Sequence, residues 1–202
     1  MSKAVLMSIR PNWCKLIWSG MKTVEIRKTR PKLKPPFKVY IYCTENESWE
    51  VIFRQTGRQQ MNGKVIGEFA CDDVRRIGPE YCIIKEDIES AITGSCLTVQ
   101  QVRNYASWKS GLSYVDLKDL YSWHISNLKI YDKPRNLHEF CRFDFQSMNG
   151  TNICGNTKCE NYIPSNSWMQ PPDCAIDGCH LKYPPQSWCY IEGLPNGKEE
   201  ET

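Results

Sequence analysis

The repeat of apolar side chains changes length at Gly20, and that change restricts the chain to folds that mix helix and sheet. In SIRPNWCKLIWSG, Pro11 suits a first helical turn, Trp13, Leu16 and Ile17 recur at helical spacing, and Gly20 supplies the stop. From Lys22 the period becomes two. Val24 and Ile26 point one way and Thr23, Glu25 and Arg27 the other, as in a half-buried strand. The prolines of RPKLKPP then end it, because proline has no N–H to give to a ladder.

Further strands are expected at KVYIYC (38–43) and GKVIGEFAC (63–71), rich in β-branched and aromatic residues, and at DDVRRI. TENESWEVIFRQTGRQQMN reads as a polar loop between the first two. In LTVQQVRNYA, Thr98 and Gln101 form a capping box that opens a helix, with Leu97 stapled onto Val102. YVDLKDLYS reads as a helical or turn segment, and WHISNLKIY (123–131) as a strand ended by DKPRN. No internal repeat is visible. This order of elements favours a small mixed α+β barrel over a doubly wound sheet. Past Phe145 the composition shifts toward Asn, Pro, Cys and Gly, which divides the chain into a domain over 1–145 and a tail over 146–202.

The apolar runs are too short to span a bilayer, and MSKAVLMSIRPNW lacks the core and cleavage site of a signal peptide. The expectation is a soluble, cytoplasmic protein without a membrane partner. Eleven cysteines in such a chain argue for reduced thiols, some holding a metal, rather than a disulfide framework. The net charge of +3 is unevenly placed: residues 1–38 carry ten Lys/Arg against Glu25 alone, +9 in total, leaving −6 for the remainder. A folded segment this basic suits a polyanion, or is a solvated surface balanced elsewhere.

SIRPNWCKLIWSGMKTVEIRK, VYIYC, GKVIGEF, WHISNLKIYDKPRNLHEF and the closing PPQSWCYIE together resemble the ASCH-domain proteins common in phages and prophages. The resemblance covers roughly residues 3–140. Its most diagnostic piece, G-x-K-x-x-E-x-R, is met by Gly20, Lys22, Glu25 and Arg27. It implies a PUA-like small mixed β-barrel with flanking helices and a cleft beside the signature strand. It also implies binding of RNA or a modified nucleoside or nucleotide, with acetylcytidine amidohydrolase and ribonuclease activities among relatives.

Two chemistries fit such a cleft. In recognition, Lys22 and Arg27 pair with phosphate or a base edge, Glu25 accepts from an amino or hydroxyl group, and an aromatic stacks. In hydrolysis, Lys22 activates a hydroxyl or water and Glu25 handles protons. The amidohydrolases carry a nucleophilic threonine three residues after the lysine, where this chain has Glu25. Thr23 falls on the opposite face from Lys22 in an ideal strand. A plain exposed strand, with Glu25 and Arg27 paired sideways, is the bland alternative. Ser8 and Arg10 line the same cleft, or are a capping serine and a solvated arginine. Lys64 and Glu68 flank their strand, with Glu68 a second carboxylate or a surface residue. Trp123 and His124 stack on a base and shuttle a proton, or pack in the core.

In the tail, Cys154 and Cys159 form C-x4-C, and Cys174 and Cys179 repeat it. Two such knuckles give four thiolates in a tetrahedron, a structural zinc site, with Cys141, His180 and Cys189 as alternates. The other reading is incidental reduced thiols. PPQSWCYIE docks Trp188 and Tyr190 back onto the barrel, while GLPNGKEEET frays. A protein partner, contacted through the acidic remainder of a mobile-element protein, is the third functional class.

Overall fold

The computed structural model describes residues 2–78, 85–109, 115–142, 145–148, 151–154, 162–166, 172–174 and 180–194. The architecture is sheet-dominated with few helices. Strand β1 (Lys3–Ile9) leads into α1 (Pro11–Trp18), followed by β2 (Val24–Arg27), β3 (Phe37–Cys43), β4 (Glu50–Phe53), β5 (Gly57–Gln60), β6 (Lys64–Cys71) and β7 (Val74–Ile77). Helices α2 (Lys85–Ala91) and α3 (Val99–Ala106) precede β8 (Ser107–Lys109), β9 (Val115–Leu117), β10 (Leu120–His124) and β11 (Ser126–Arg135). The last elements are β12 (Phe145–Met148), β13 (Thr151–Cys154), β14 (Tyr162–Ile163), β15 (Asp173–Cys174) and β16 (Trp188–Glu192).

Two sheets make the body. One runs β11-β6-β3-β1-β16 and the other β2-β10-β7. β1 and β3 are parallel, and every other neighbouring pair in these sheets is antiparallel. β7 pairs with β10 in one sheet and β6 with β11 in the other, so β6–β7 and β10–β11 form one long bent hairpin crossing between sheets. His124 N donates to Asp73 O at the bend. Met7, Val39, Ile41, Ile66, Phe69 and Trp123 fill the space between the sheets. Each such buried aliphatic or aromatic side chain stabilises by about 1.5–3 kcal/mol. Ile77, Ile88, Val102 and Leu120 pack α2 and α3 on the outer face of the smaller sheet.

The sequence suggested a closed barrel. Among the described residues no ladder joins β2 to β1 or β16, and the two sheets stay open along that seam. The Arg27 guanidinium lies across it, donating to Ser8 O at 2.7 Å and to Ser187 Oγ at 3.4 Å. Side chains therefore bridge where backbone pairing would close a barrel.

Most expected elements form. α1 begins at Pro11, Gly20 takes φ +74° after it, and the Thr98–Gln101 capping box is made in both directions. Three segments differ. The polar loop after β3 contains the β4–β5 hairpin, turned at Gly57. YVDLKDLYS supplies β9 and the start of β10 rather than a helix, because β8 offers an edge to β9, and β2 and β7 flank β10. The late strand breaks at Ile125 and runs on through Pro134, which an outer strand with a register shift between Ile130 and Arg135 accommodates. The closing segment expected to dock back does so as a strand: β16 pairs with β1 from Lys3↔Glu192 to Met7↔Trp188 and belongs to the main sheet. No helix among the described residues is long and apolar enough to cross a membrane.

Candidate functional site

β2 is a free edge of its sheet, and its inner face meets the end of β1, α1 and α3. Alternation is kept there. Val24 and Ile26 join the apolar cluster beneath the helices, whereas Glu25 and Arg27 share the face of Trp123 and Tyr121, their cross-strand partners. Lys22, just before the strand, folds back to the same place. All three charged residues are buried, Lys22 to 2% exposure and Glu25 and Arg27 to 8% each.

Their geometry is a cation–anion–cation row. Lys22 Nζ lies 3.2 Å from Glu25 Oε2, and Arg27 Nε lies 3.1 Å from Glu25 Oε1. Lys22 Nζ also donates to Ser95 O at 2.6 Å and stands 5.1 Å from the Trp13 ring centroid. Burying three charges is costly unless each is paired and hydrogen-bonded. Here the backbone carbonyls of Ser95 and Ser8 complete the cations, yet Glu25 Oε2 and Arg27 Nε are buried without an aligned hydrogen-bond partner. Such orphaned groups are uncommon in well-packed interiors.

The row forms one wall of a cavity of about 550 Å³. Ser8, Arg10 and Trp13 border it on one side, Leu97, Gln101 and Tyr105 on another. Lys28 Nζ sits 4.8 Å from the Tyr105 ring centroid at its rim. Burial raises the Tyr105 phenol above its ordinary range, with Arg27 opposing that shift, so it stays protonated at neutral pH. The volume is that of a small-molecule pocket, with aromatic surface and a few fixed polar groups.

Ser8, Arg10, Lys22, Glu25 and Arg27 are thus brought together. Ser8 Oγ donates to Pro185 O at 2.6 Å, and the Arg10 carbonyl starts α1 by accepting from Trp13 N and Cys14 N. Thr23 is not part of the lining: it is exposed, its N–H goes to Gly94 O, and its hydroxyl lies against Gly94. Trp123 is not at a mouth but fully buried, edge-on to Phe37 at 5.7 Å and tilted against Trp188 at 5.9 Å. Cross-strand pairing on the core face puts it there. His124, one residue on, faces the other way, with Nδ1 2.6 Å from Asp72 Oδ1 in a separate cavity shared with Arg75 and Ser122. Glu68 lies outside the site, paired with Lys38 at 3.1 Å and accepting from Tyr131 Oη at 2.5 Å, while Lys64 bonds Asn136. Trp13, Tyr105 and the Ser95 carbonyl were not anticipated as site groups. Trp13 read only as an apolar helix position, and nothing local marks a tyrosine or a carbonyl so far along the chain.

Of the tail thiols, Cys159 and Cys179 lie outside the described residues. Cys154 ends β13 and Cys174 ends β15, and these two strands run beside each other. Cys141 Sγ is 3.6 Å from His180 Nδ1, which is itself 2.6 Å from His138 O. Among the described residues, no group of three His, Cys, Asp or Glu side chains is placed to hold a metal.

No curated protein matches the chain significantly. Among solved structures, it is similar to the ASCH protein from Zymomonas mobilis, at 21% identity and TM-score 0.46, covering 76% of this chain and 89% of that one. Two single-residue mutants of that protein give 20% identity with TM-score 0.45, covering 67% and 77%, and 21% with 0.44, covering 66% and 74%. The model of the ASCH domain matches residues 7–135, a span that holds the end of β1, the signature strand and the whole bent hairpin. By that match the chain belongs to the ASCH-domain family.

Proposed function

We propose that the protein binds RNA, or a modified nucleoside or nucleotide, in the cavity over Lys22, Glu25 and Arg27. The observation that carries this reading is the row itself: two cations and one carboxylate, held rigid by backbone carbonyls, in a nucleoside-sized cavity between Trp13 and Tyr105. Glu25 is an acceptor for an amino group, the cations are donors for carbonyl or phosphate oxygens, and the Tyr105 ring is a surface for a base. The test is calorimetric titration of the wild type and Lys22→Ala with a panel of plain and modified nucleosides and a short RNA. Binding that falls at least tenfold in Lys22→Ala supports the reading; binding that is unchanged, or absent from the whole panel, defeats it.

One contact favours a hydrolytic variant. Glu25 stands where the deacetylases carry threonine, and it touches Lys22. Turnover of acetylcytidine or of RNA that vanishes in Glu25→Gln would make the protein a hydrolase with Glu25 as base to water. Thr23 takes no part in that mechanism.

For the tail we infer a structural zinc held by Cys154, Cys159, Cys174 and Cys179. The matched C-x4-C spacings and the adjacency of β13 and β15 support it. Metal analysis of protein purified without added zinc checks it, and less than about one zinc per two chains refutes it.

A further inference from the structure

The segment 28–34, which links β2 to β3, leaves the cavity wall directly after Arg27. It carries Lys28, Arg30, Lys32 and Lys34, all exposed. It is not loose. Arg27 reaches Ser187, Trp188 Nε1 donates to Thr29 Oγ1 at 2.9 Å, and Lys32 N donates to Tyr190 Oη at 2.7 Å. Successive tethers thus step from Ser187, just before β16, to Tyr190 within it, over roughly 10 Å at the rise of an extended strand. Pro31 is buried and Leu33 packs against the main core, which turns the intervening cations outward. Lys28 is spread over Tyr105 at the rim of the cavity.

Arg30, Lys32 and Lys34 have no side-chain partner among the described residues. Three exposed cations along a tethered segment, with no carboxylate set among them, make a local positive field that favours a polyanion. The order along the molecule is pocket, aromatic rim, then basic track.

From this we propose that the loop 28–34 is a phosphate track for single-stranded RNA, carrying the backbone of a strand whose unstacked base enters the cavity. The base-binding half rests on the function proposed above. The single-stranded half has its own ground: a base can reach a recessed cavity lined by buried charges only when it is out of a duplex stack. Arg30, Lys32 and Lys34 act on phosphate oxygens and read no sequence.

The experiment compares the wild type with a triple variant, Arg30→Ala, Lys32→Ala and Lys34→Ala. These side chains hold nothing in place, since the tethers run through Thr29, the Lys32 backbone and Leu33, and an unchanged Tm confirms that the variant folds. Binding of a short mixed-sequence single-stranded RNA is measured across a salt series, alongside the same sequence as a duplex, polyglutamate, and the best nucleoside from the panel. The triple variant is expected to flatten the plot of log K against log salt by about 2, at about 0.7 per single-strand phosphate contact, and to leave nucleoside affinity unchanged. An unchanged slope overturns the track. So does duplex RNA or polyglutamate binding as tightly as the single strand, the latter pointing to an acidic protein. Loss of nucleoside binding in Lys22→Ala is read separately, so failure of the cavity and failure of the track give different results.

Discussion

Lys22 Nζ and Glu25 Oε2 are 3.2 Å apart, both residues are nearly sealed from solvent, and Arg27 holds the other carboxylate oxygen. The three positions are therefore not equivalent. Glu25→Ala leaves two buried cations facing each other, and removing one partner of a buried pair costs about 3–5 kcal/mol. Lys22→Met keeps the Glu25–Arg27 pair and fills the volume beside Trp13, so it should cost under half as much. Urea unfolding of both variants checks the order. Equal losses would mean that Lys22, not Arg27, balances the carboxylate.

Gly94 should be nearly irreplaceable. Its φ is +80°, and an added Cβ would stand 2.3 Å from Thr23 Oγ1. Its carbonyl accepts from Thr23 N and Val24 N, and the next carbonyl holds Lys22. Gly94→Ala is expected to destabilise by about 1–3 kcal/mol, from left-handed strain plus the clash. Adding Thr23→Ala should recover part of that loss, because it removes the clashing hydroxyl. A double-mutant cycle without coupling would show that the clash is relieved elsewhere.

Trp123 behaves as core rather than as a base-stacking surface. Trp123→Ala should destabilise by about 3–5 kcal/mol, and Trp123→Phe by less, since Phe37 and Trp188 still contact a ring. Nucleoside affinity of the folded Phe variant is expected to match the wild type. A clear affinity loss with intact stability would move Trp123 into the site.

The Asp72 carboxyl is held below its ordinary value, chiefly by its hydrogen bond with His124. A depressed carboxyl contributes stability that is present above its unfolded value, near 4, and is lost as pH falls through the folded value. Both side chains are almost half exposed, so screening keeps the effect small. Asp72→Asn should leave stability at pH 7 almost unchanged and flatten the acid limb of a Tm-against-pH curve. An acid limb identical to the wild type's would mean that the pair does not persist in solution.

The buried thiols should be inert. Burial pushes Cys71 up to about 12 and raises Cys14 strongly, whereas Cys96 is exposed. Alkylation at pH 8 followed by peptide mass mapping should label Cys96 and spare Cys14, Cys43 and Cys71 until denaturant is added. Labelling of Cys71 at the rate of Cys96 would mean that the bend beside Asp72 opens readily.

Local chemistry made much of this molecule legible. The Thr98–Gln101 box, Pro11, and the alternation from Val24 to Arg27 each act within a few residues, and each forms as read. β1 escaped because it is buried on both faces from Ala4 to Ile9, and a run that is apolar apart from Ser8 has no period to detect. Trp123 stayed open between a base-stacking surface and the core for a related reason: alternation tells which residues share a face, but not which face meets the core.

The sequence by itself determined that a helix gives way to a strand bearing Glu25 and Arg27, with Lys22 just before it, and that these residues follow the ASCH signature. Only the tertiary structure decided that they are buried, paired and walled by Trp13 and Tyr105. The Ser95 carbonyl that fixes Lys22 comes from 73 residues away, and Arg27 spans the seam from its own strand to Ser8 in the first strand and Ser187 just before the last. Periodicity acts over one or two turns of chain, whereas the field that makes a charged strand into a site comes from what the fold sets against it.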